Sequence, residues 1–286
     1  MKLYYDEVPH GHYAVTYYIE SATTLSDACE GIAIGQSIGN PTVRIPKWET
    51  PELVEKYSAK IIGNKVHLDT LKSGTVVIAF PSVNIDWQRD GFSHLLCVLL
   101  GGQVDIDIIK KCHVMDIDDY GVIPKLSPKF GLSGMREYLG RYDKPLLGCI
   151  IKPKIGLGPK DYASIVEEMV EGGADIIKED EILGSPAFCT LEERLEIVKA
   201  VIGKRRVIYL TAINGDADSI LEKAKAVNAA GINGVHLNVW SGMGNYSALR
   251  RLNLPMALHY QKSGDKTFTH VDNPFRFSWY SMCKLA

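Results

Sequence analysis

The second half of the chain repeats one unit, an apolar segment followed by an amphipathic helix pattern. The apolar segments lie in "KPLLGCIIKPK", "GADIIKEDE", "RVIYLTAING", "INGVHLNVW" and "LPMALHYQK", and helical patterns such as "LEERLEIVKAVIGKR" separate them. Strands that alternate with helices at this spacing form parallel sheets with right-handed crossover connections. The repeat therefore predicts an α/β domain built on a parallel sheet.

Polar residues stand at the carboxyl end of nearly every predicted strand. They are Lys152, Lys178, Asp180, Glu181, Asn214, Asn238, His259 and Gln261. A (β/α)8 barrel carries site residues at the ends of many strands, whereas a doubly wound sheet concentrates them at one switch point. No Gly-rich phosphate loop of the dinucleotide or P-loop type follows a strand, which also disfavours the doubly wound sheet. We therefore predict a TIM barrel, of which this chain supplies about five of the eight units.

The first part of the chain mixes strand and helix patterns without that repeat, and its segments "SAKIIGNKVHLD" and "SGTVVIAFPSVNI" are predicted to be strands joined by turn residues. We predict an N-terminal α+β (ferredoxin-like) domain at residues 1–130 and the incomplete (β/α)8 barrel at residues 131–286, ending in a helix at "FRFSWYSMCKLA". An open barrel of five strands leaves two sheet edges exposed. The chain is therefore expected to be a piece of a longer protein. The alternative is a permanently incomplete barrel that a partner completes.

Composition places few further limits on function. The chain has 286 residues, a formal net charge of −2 and 23% charged residues, which is typical of a soluble globular protein. This balance does not indicate nucleic acid or a membrane surface as a partner. The six cysteines form no C-x-x-C pair, which predicts reduced core thiols and a cytoplasmic location.

The stretch "IIKEDE" gathers three acids and a lysine at one predicted strand end. Side chains two residues apart share a face of a strand, so Lys178 and Asp180 should point together into the barrel mouth, and Glu181 can join them at the bend. Two carboxylates are the usual protein share of a Mg²⁺ site. The lysine could pair with these acids or become an anionic oxygen ligand by adding CO2. Spacing alone does not separate such a site from a strand end with ordinary solvated charges.

Two further lysines, Lys152 and Lys154, end the preceding predicted strand and could face the same mouth. A lysine beside a metal can act as a proton-transfer group, and the alternative is a surface pair. His236 lies inside a predicted strand, and we interpret it as a core histidine with satisfied hydrogen bonds rather than a ligand.

Taken together, "GCIIKPKIGLGPKDY" and "GGADIIKEDE" resemble the RuBisCO large-chain superfamily, whose motifs read approximately G-x-x-x-K-P-K-x-G-L and G-G-x-D-x-x-K-D-D-E. The resemblance implies that Lys178 becomes carbamylated and that Asp180 and Glu181 complete a Mg²⁺ site. It also implies that Lys152 handles the substrate proton at enolisation and that Lys154 supports the site. The family's barrel continues through three more strands, and its members form homodimers in which the neighbour's N-terminal domain closes each barrel mouth.

The chain departs from the carboxylases at several positions. In the N-terminal domain, Gly35 replaces a glutamate of the carboxylases, Asn40 and Pro41 replace a threonine and a tryptophan, and Val98 replaces an asparagine. In the barrel, Ile150 replaces a threonine. In the H-x-H-R motif of the fifth strand, Gln261 replaces the second histidine and Lys262 replaces the arginine. The groups for metal binding and enolisation are thus kept, while those that grip a bisphosphate and manage CO2 addition are altered. This combination is similar to the RuBisCO-like proteins, or form IV, which enolise or isomerise sugar phosphates without fixing CO2.

The resemblance therefore implies a Mg²⁺-dependent enolase or isomerase acting on a phosphorylated ketose. The substrate would be bound by Lys154, His259, Gln261, Lys262 and Asn40. Three alternatives stay open: ribulose-1,5-bisphosphate carboxylation, decarboxylation of a sugar-acid phosphate by a carboxy-lyase, and a truncated, inactive relative.

Overall fold

The computed structural model describes residues 2–40, 43, 47–125 and 127–286. Two compact units divide the chain. One comprises Met1–Lys125 together with Asp265–Ala286, and the other comprises Leu126–Gly264. The sequence had placed residues 265–286 in the barrel domain, whereas in the structure they belong to the first unit.

The strands form two separate sheets. In chain order they are β1 (Tyr4–Tyr5), β2 (His12–Ser21), β3 (Lys60–Ile62), β4 (Ser73–Pro81), β5 (Ile109–Asp118), β6 (Gly148–Ile150), β7 (Ile176–Lys178), β8 (Ile208–Ala212), β9 (Gly234–Asn238), β10 (Ala257–Gln261) and β11 (Phe275–Phe277). The first unit contains a mixed sheet in the order β1-β3-β4-β2-β5-β11. The second contains a parallel sheet in the order β10-β9-β8-β7-β6.

The helices connect and cover these strands. They are α1 (Leu25–Gly35), α2 (Pro51–Tyr57), α3 (Lys65–Asp69), α4 (Gly91–Leu99), α5 (Leu132–Leu139), α6 (Pro159–Glu171), α7 (Leu191–Ile202), α8 (Ala217–Ala229), α9 (Gly244–Arg251), α10 (Lys266–Thr269) and α11 (Trp279–Leu285). Helices α1 and α7 both begin with a capping box, in which the threonine hydroxyl and the acid at the third helical position exchange hydrogen bonds with the backbone.

The parallel sheet follows strict chain order. The strand order does not reverse, as it does in a doubly wound sheet, and all five predicted strands are present. Among the described residues, β6 and β10 each pair with one strand only, and the assignment to an incomplete (β/α)8 barrel stays a prediction. Leu139 of α5 packs in one buried core with Ile208, Leu210 and Ala257, of which Ile208 and Ala257 are the first residues of β8 and β10.

The register of this sheet shows which of the predicted site residues lie side by side. Lys178 pairs with Leu210, His236 with His259, and Asn238 with Gln261. Because side chains alternate between the two faces of a strand, His236 and His259 lie side by side on one face. Strands β8 and β9 are buried along their whole length, as expected for central strands of a sheet covered on both faces.

Two local predictions were wrong. The segment "KVHLD", predicted as strand, forms helix α3 because the Asn64 side chain accepts hydrogen bonds from the backbone N–H groups of Val66 and His67. The predicted C-terminal helix begins only at Trp279, capped by Ser278. The preceding residues form β11, which pairs in parallel with β5 and so joins the first unit.

No described helix is both long enough and apolar enough to span a membrane. All six cysteines are free thiols. Cys29, Cys112 and Cys189 are buried, but Cys97 and Cys283 are exposed, so the prediction of core thiols was wrong for those two.

Candidate functional site

The ends of β6 and β7 bring three amines and two carboxylates together. Asp180 is buried, and its Oδ2 lies 2.5 Å from the Nζ of Lys152 and 3.7 Å from the Nζ of Lys154. Glu181 Oε2 lies 3.8 Å from the Nζ of Lys178. Strand β7 ends at Lys178. Its hydrogen bonding to β8 extends one residue further, since the backbone N–H of Glu179 donates to the Leu210 carbonyl at 3.1 Å. The residues predicted as a cluster from spacing therefore do lie together.

Lys178 is the least exposed of the three lysines. Its side chain is 14% exposed, against 47% for Lys152 and 48% for Lys154, and its Nζ donates to the Glu179 carbonyl at 2.9 Å. Burial lowers the pKa of Lys178, although the neighbouring carboxylates act in the opposite direction. A lowered pKa increases the fraction of neutral amine, the form that can react with CO2.

Glu181 is held by several hydrogen bonds. Its Oε2 accepts from Gln261 Nε2 at 2.7 Å, and its carbonyl accepts from Asn214 Nδ2 at 2.6 Å. Partial burial acts to raise the pKa of Glu181, but hydrogen bonds from its own backbone, Ser263 and Gln261 lower that pKa to about 2. This carboxylate is therefore ionised, as a metal ligand must be.

Glu179, between the lysine and the candidate ligands, points to the opposite face of the strand. It is fully buried, and its Oε1 accepts from Tyr162 Oη at 2.9 Å, Tyr209 Oη at 3.0 Å and Arg194 Nε at 3.0 Å. Its Oε2 accepts from the backbone N–H of Ala212 at 2.8 Å. The carboxylate is thus charge-paired and fully hydrogen-bonded, which is what makes its burial tolerable.

Arg194 connects this carboxylate to the loop that follows it. Besides its bond to Glu179, it donates to the carbonyls of Cys189 and Gly184, each at 2.7 Å. One buried guanidinium therefore fixes both ends of the loop that carries the candidate metal ligands. Neither Glu179 nor Arg194 was predicted to have a role. Strand alternation was the available signal, because it places Glu179 on the face opposite Lys178.

The asparagines at the strand ends join neighbouring loops. The backbone N–H of Asn238 donates to Asn214 Oδ1 at 2.7 Å, and Asn238 Nδ2 donates to the Ser263 carbonyl at 3.1 Å. A cavity of about 460 Å³ opens beside them. Its lining includes Glu181, Asn214, Asn238, Trp240, Ser263 and Gly264, which places an open space directly next to a candidate metal ligand.

His236 is buried as predicted but is not satisfied. It is fully buried, and neither ring nitrogen has a hydrogen-bond partner among the described residues. The Glu179 backbone lies near the ring and acts to raise its pKa. Burial, together with the nearby charge of Lys178, lowers the pKa of His236 to about 3. The ring is therefore neutral, and it packs edge-on against His259 with 6.2 Å between centroids.

The remaining predicted residues are spread more widely. Lys262 is exposed and follows the end of β10. Asn40 is exposed in the first unit, where it lines a concavity with Trp48 and Glu49, and Pro41 lies outside the described residues. At Gly35, where the carboxylases carry glutamate, an added Cβ would lie 1.9 Å from the Gln103 side chain, so Gln103 fills the space that a side chain would need.

The donor chemistry of the cluster fits Mg²⁺ only with an added oxygen. Within residues 2–40, 43, 47–125 and 127–286, no three His, Cys, Asp or Glu side chains are placed to hold a metal ion. Asp180 and Glu181 offer two hard oxygen donors, and a carbamate on Lys178 would supply a third. Mg²⁺ prefers such oxygen ligands and keeps several waters, so these residues suit Mg²⁺ once Lys178 has added CO2.

Residues 131–285 match the family described as "Ribulose bisphosphate carboxylase large chain, catalytic domain". The chain belongs to the RuBisCO large-chain family. The resemblance inferred from the two lysine motifs is thereby confirmed at the level of the family.

Relatives within this family have different activities. The chain is 30% identical over 231 residues to a 2,3-diketo-5-methylthiopentyl-1-phosphate enolase of Microcystis aeruginosa, covering 79% of this chain and 57% of that enzyme. It is 30% identical over 277 residues to a 3-oxo-isoapionate-4-phosphate decarboxylase of Rhizobium etli, covering 87% of this chain and 64% of that enzyme. The chain thus spans about three fifths of the length of these curated relatives.

The family fold extends over nearly the whole chain. The crystal structure of a sulfate complex of octameric ribulose-1,5-bisphosphate carboxylase/oxygenase from Pyrococcus horikoshii superposes with a TM-score of 0.83. The superposition covers 99% of this chain and 68% of that chain at 24% sequence identity. At this identity the likeness establishes the fold and leaves the reaction open.

Proposed function

We propose that the protein catalyses the enolisation or isomerisation of a phosphorylated ketose, with Mg²⁺ held by Asp180, Glu181 and a carbamate on Lys178. The observation that carries the proposal is the convergence of Lys152 and Lys178 on these two carboxylates in a member of this family. When bound, Mg²⁺ would act as a Lewis acid on the substrate carbonyl.

The chain's own residues would bind the substrate and move its proton. Lys152 is half-exposed and hydrogen-bonds Asp180 at 2.5 Å, so its amine stands at the mouth within reach of a substrate. As the free amine it would accept the α-proton, while the electron pair of the broken C–H bond moves toward the carbonyl oxygen. A carbamate oxygen on Lys178 is the other candidate base.

Phosphate binding would rely chiefly on the lysines that follow the strand ends. Lys262 stands where the carboxylases carry an arginine, and Lys154 and His259 are the other predicted substrate contacts. A lysine attracts a phosphate as a point charge but lacks the two-pronged fork of arginine. The grip on each phosphate should therefore be weaker than in the carboxylases.

Two observations favour enolisation over ribulose-1,5-bisphosphate carboxylation. Gln261, at the position of the second histidine, donates to Glu181 and so supports a candidate metal ligand. At Gly35, the position of the carboxylase glutamate, the Gln103 side chain fills the adjacent space. Both positions lack the ionisable group that the carboxylases carry there.

Decarboxylation of a 3-oxo sugar-acid phosphate is the second candidate. The Rhizobium etli decarboxylase aligns over 87% of this chain, and loss of CO2 from such a substrate also passes through an enolate, which the same site would stabilise. We extend the proposal to a homodimer, and the cytoplasmic location likewise stays a prediction.

The deciding experiment incubates the whole chain in D2O with Mg²⁺, bicarbonate and a panel of ketose phosphates, and follows deuterium at the α-carbon by proton NMR. Exchange that disappears in Lys178→Ala would support the proposal. A parallel panel of 3-oxo sugar-acid phosphates, assayed for CO2 release, separates the decarboxylase. Failure of every ketose phosphate to exchange would contradict the enolase and favour the decarboxylase or an inactive relative.

A further inference from the structure

We propose that His236 is a positioning residue, which donates a hydrogen bond to an oxygen of the CO2 adduct on Lys178. The inference rests on the proposed function, because it assumes that Lys178 is the residue that adds CO2. A fully buried imidazole without a partner for either ring nitrogen among the described residues carries a desolvation cost that native structures normally avoid.

The position of the ring identifies the partner. Lys178 pairs with Leu210 in the register of β7 and β8, and His236 pairs with Ala212 in the register of β8 and β9. Because side chains two residues apart share a face of a strand, Lys178 and His236 lie on the same face of the sheet, with β8 between them. His236 also lies beside His259 in the register of β9 and β10, on the face of the sheet that carries the amines and carboxylates of the mouth.

The acceptors near the imidazole are already engaged, since the Glu179 carbonyl accepts from Lys178 Nζ. Asp180 Oδ2 is already engaged by Lys152 and Lys154, and Glu181 Oε2 accepts from Gln261. The neutral ring has one N–H to donate. An acceptor attached to Lys178 would supply the missing hydrogen bond without changing any of these contacts.

Carbamylation creates such an acceptor. The lone pair of the neutral Lys178 amine attacks the carbon of CO2, one C=O π pair moves onto oxygen, and a proton leaves the nitrogen to water. The product carries one negative charge shared between two oxygens. A hydrogen bond from N–H to an anionic oxygen is shorter and stronger than one between neutral groups, so His236 would favour the adduct over the free amine.

The test measures the adduct itself and needs no substrate. The whole chain is titrated with ¹³C-bicarbonate in the presence of Mg²⁺, and the carbamate signal is followed by ¹³C NMR, with Lys178→Ala confirming its assignment. His236→Phe removes both nitrogens and should weaken the apparent affinity for CO2 about tenfold or more, the usual consequence of losing a hydrogen bond to a charged group. His236→Gln keeps an N–H donor and should recover most of the affinity.

A matched control separates positioning from general stability. The Tyr246 hydroxyl donates to the carbonyl of Leu237, the next residue along the same strand. Tyr246→Phe should therefore lower stability and leave carbamate occupancy unchanged. If His236→Phe does not fold, His236→Leu is read in the same way.

The outcomes are distinguishable. If a folded His236→Phe or His236→Leu variant carries as much carbamate on Lys178 as the wild type does, the role of His236 is overturned and the proposed function is unaffected. Weakened occupancy in Tyr246→Phe as well would also overturn it, because the effect would then be one of stability. Absence of any Lys178 carbamate in the wild type would overturn this inference, and the deuterium-exchange assay would then decide on its own whether the enolase activity stands.

Discussion

The two faces of the chain around β7 and the turn that follows it differ in how their polar groups are hydrogen-bonded. On one face, Glu179 is fully buried, receives four hydrogen bonds and is paired with Arg194. On the other, Lys178 and Asp180 meet amines and carboxylates that face the mouth, and the neighbouring His236 lacks a partner among the described residues. Polar groups form a closed hydrogen-bond network where the loop is anchored, whereas His236 on the face of the mouth has no partner among the described residues.

This contrast explains how a reactive cluster can be held in place. Unpaired polar groups cost stability in the folded state, and positioned site residues depend on a rigid support. The Glu179–Arg194 pair provides that support from behind the site. We expect changes to that pair to act on stability first, and changes at the mouth to act on function first.

The largest expected effect comes from breaking the buried pair. Arg194→Leu leaves the Glu179 charge buried without its partner, which typically costs about 3–5 kcal/mol. Urea denaturation would measure the free energy of unfolding. The matched control is Lys65→Ala, which removes an exposed salt bridge to Glu30 and should cost less than about 1 kcal/mol. Similar losses in the two variants would contradict the assigned support role.

The next effect falls on function. Asp180→Asn removes a candidate metal ligand while leaving the Glu179 network intact, so Mg²⁺-dependent deuterium exchange should fall by more than the roughly 10–100-fold typical of changes outside the ligand shell. The unfolding free energy should change far less than in Arg194→Leu. Retained exchange in Asp180→Asn would remove this residue from the metal site.

A smaller effect tests one member of this network. Tyr209→Phe deletes one of the four hydrogen bonds to Glu179 and also the hydrogen bond between the Tyr209 and Tyr162 hydroxyls, so it should cost at least about 1.5 kcal/mol, the lower end for a bond to a charged group. Thermal and urea unfolding would both report this loss. A variant as stable as the wild type would show that the remaining three donors suffice.

The smallest effect concerns pH. The folded-state pKa of Glu181 is about 2, below its ordinary value of 4.5, so the ionised carboxylate contributes stability that is fully present above pH 4.5 and is lost as pH falls through 2. The stability difference between wild type and Glu181→Gln should therefore shrink over this interval. A difference that does not vary with pH between 4.5 and 2 would contradict the assigned hydrogen bonds.

Local patterns predicted much of this structure. The five parallel strands and the helices between them follow from periodicity. The clustering of Lys152, Lys178 and Asp180 also followed, because the carboxyl ends of neighbouring parallel strands meet at one edge of the sheet.

The pairing of strands that are distant in the chain was not predicted from the sequence. Strand β11 (Phe275–Phe277) forms because it pairs with β5. The Ser278 hydroxyl also donates a hydrogen bond to the Met115 carbonyl, 163 positions earlier in the chain. The unsatisfied state of His236 depends likewise on which groups the neighbouring strands bring to it. Neither fact has a local signal in the residues themselves.

The central claim is that Lys178 becomes an oxygen ligand for Mg²⁺ by adding CO2. Titration calorimetry of the whole chain with Mg²⁺, with and without bicarbonate, tests it most directly. The account predicts Mg²⁺ binding that strengthens markedly with bicarbonate, and loss of that dependence in Lys178→Ala. Mg²⁺ binding of equal strength with and without bicarbonate would contradict it, as would bicarbonate dependence that survives in Lys178→Ala.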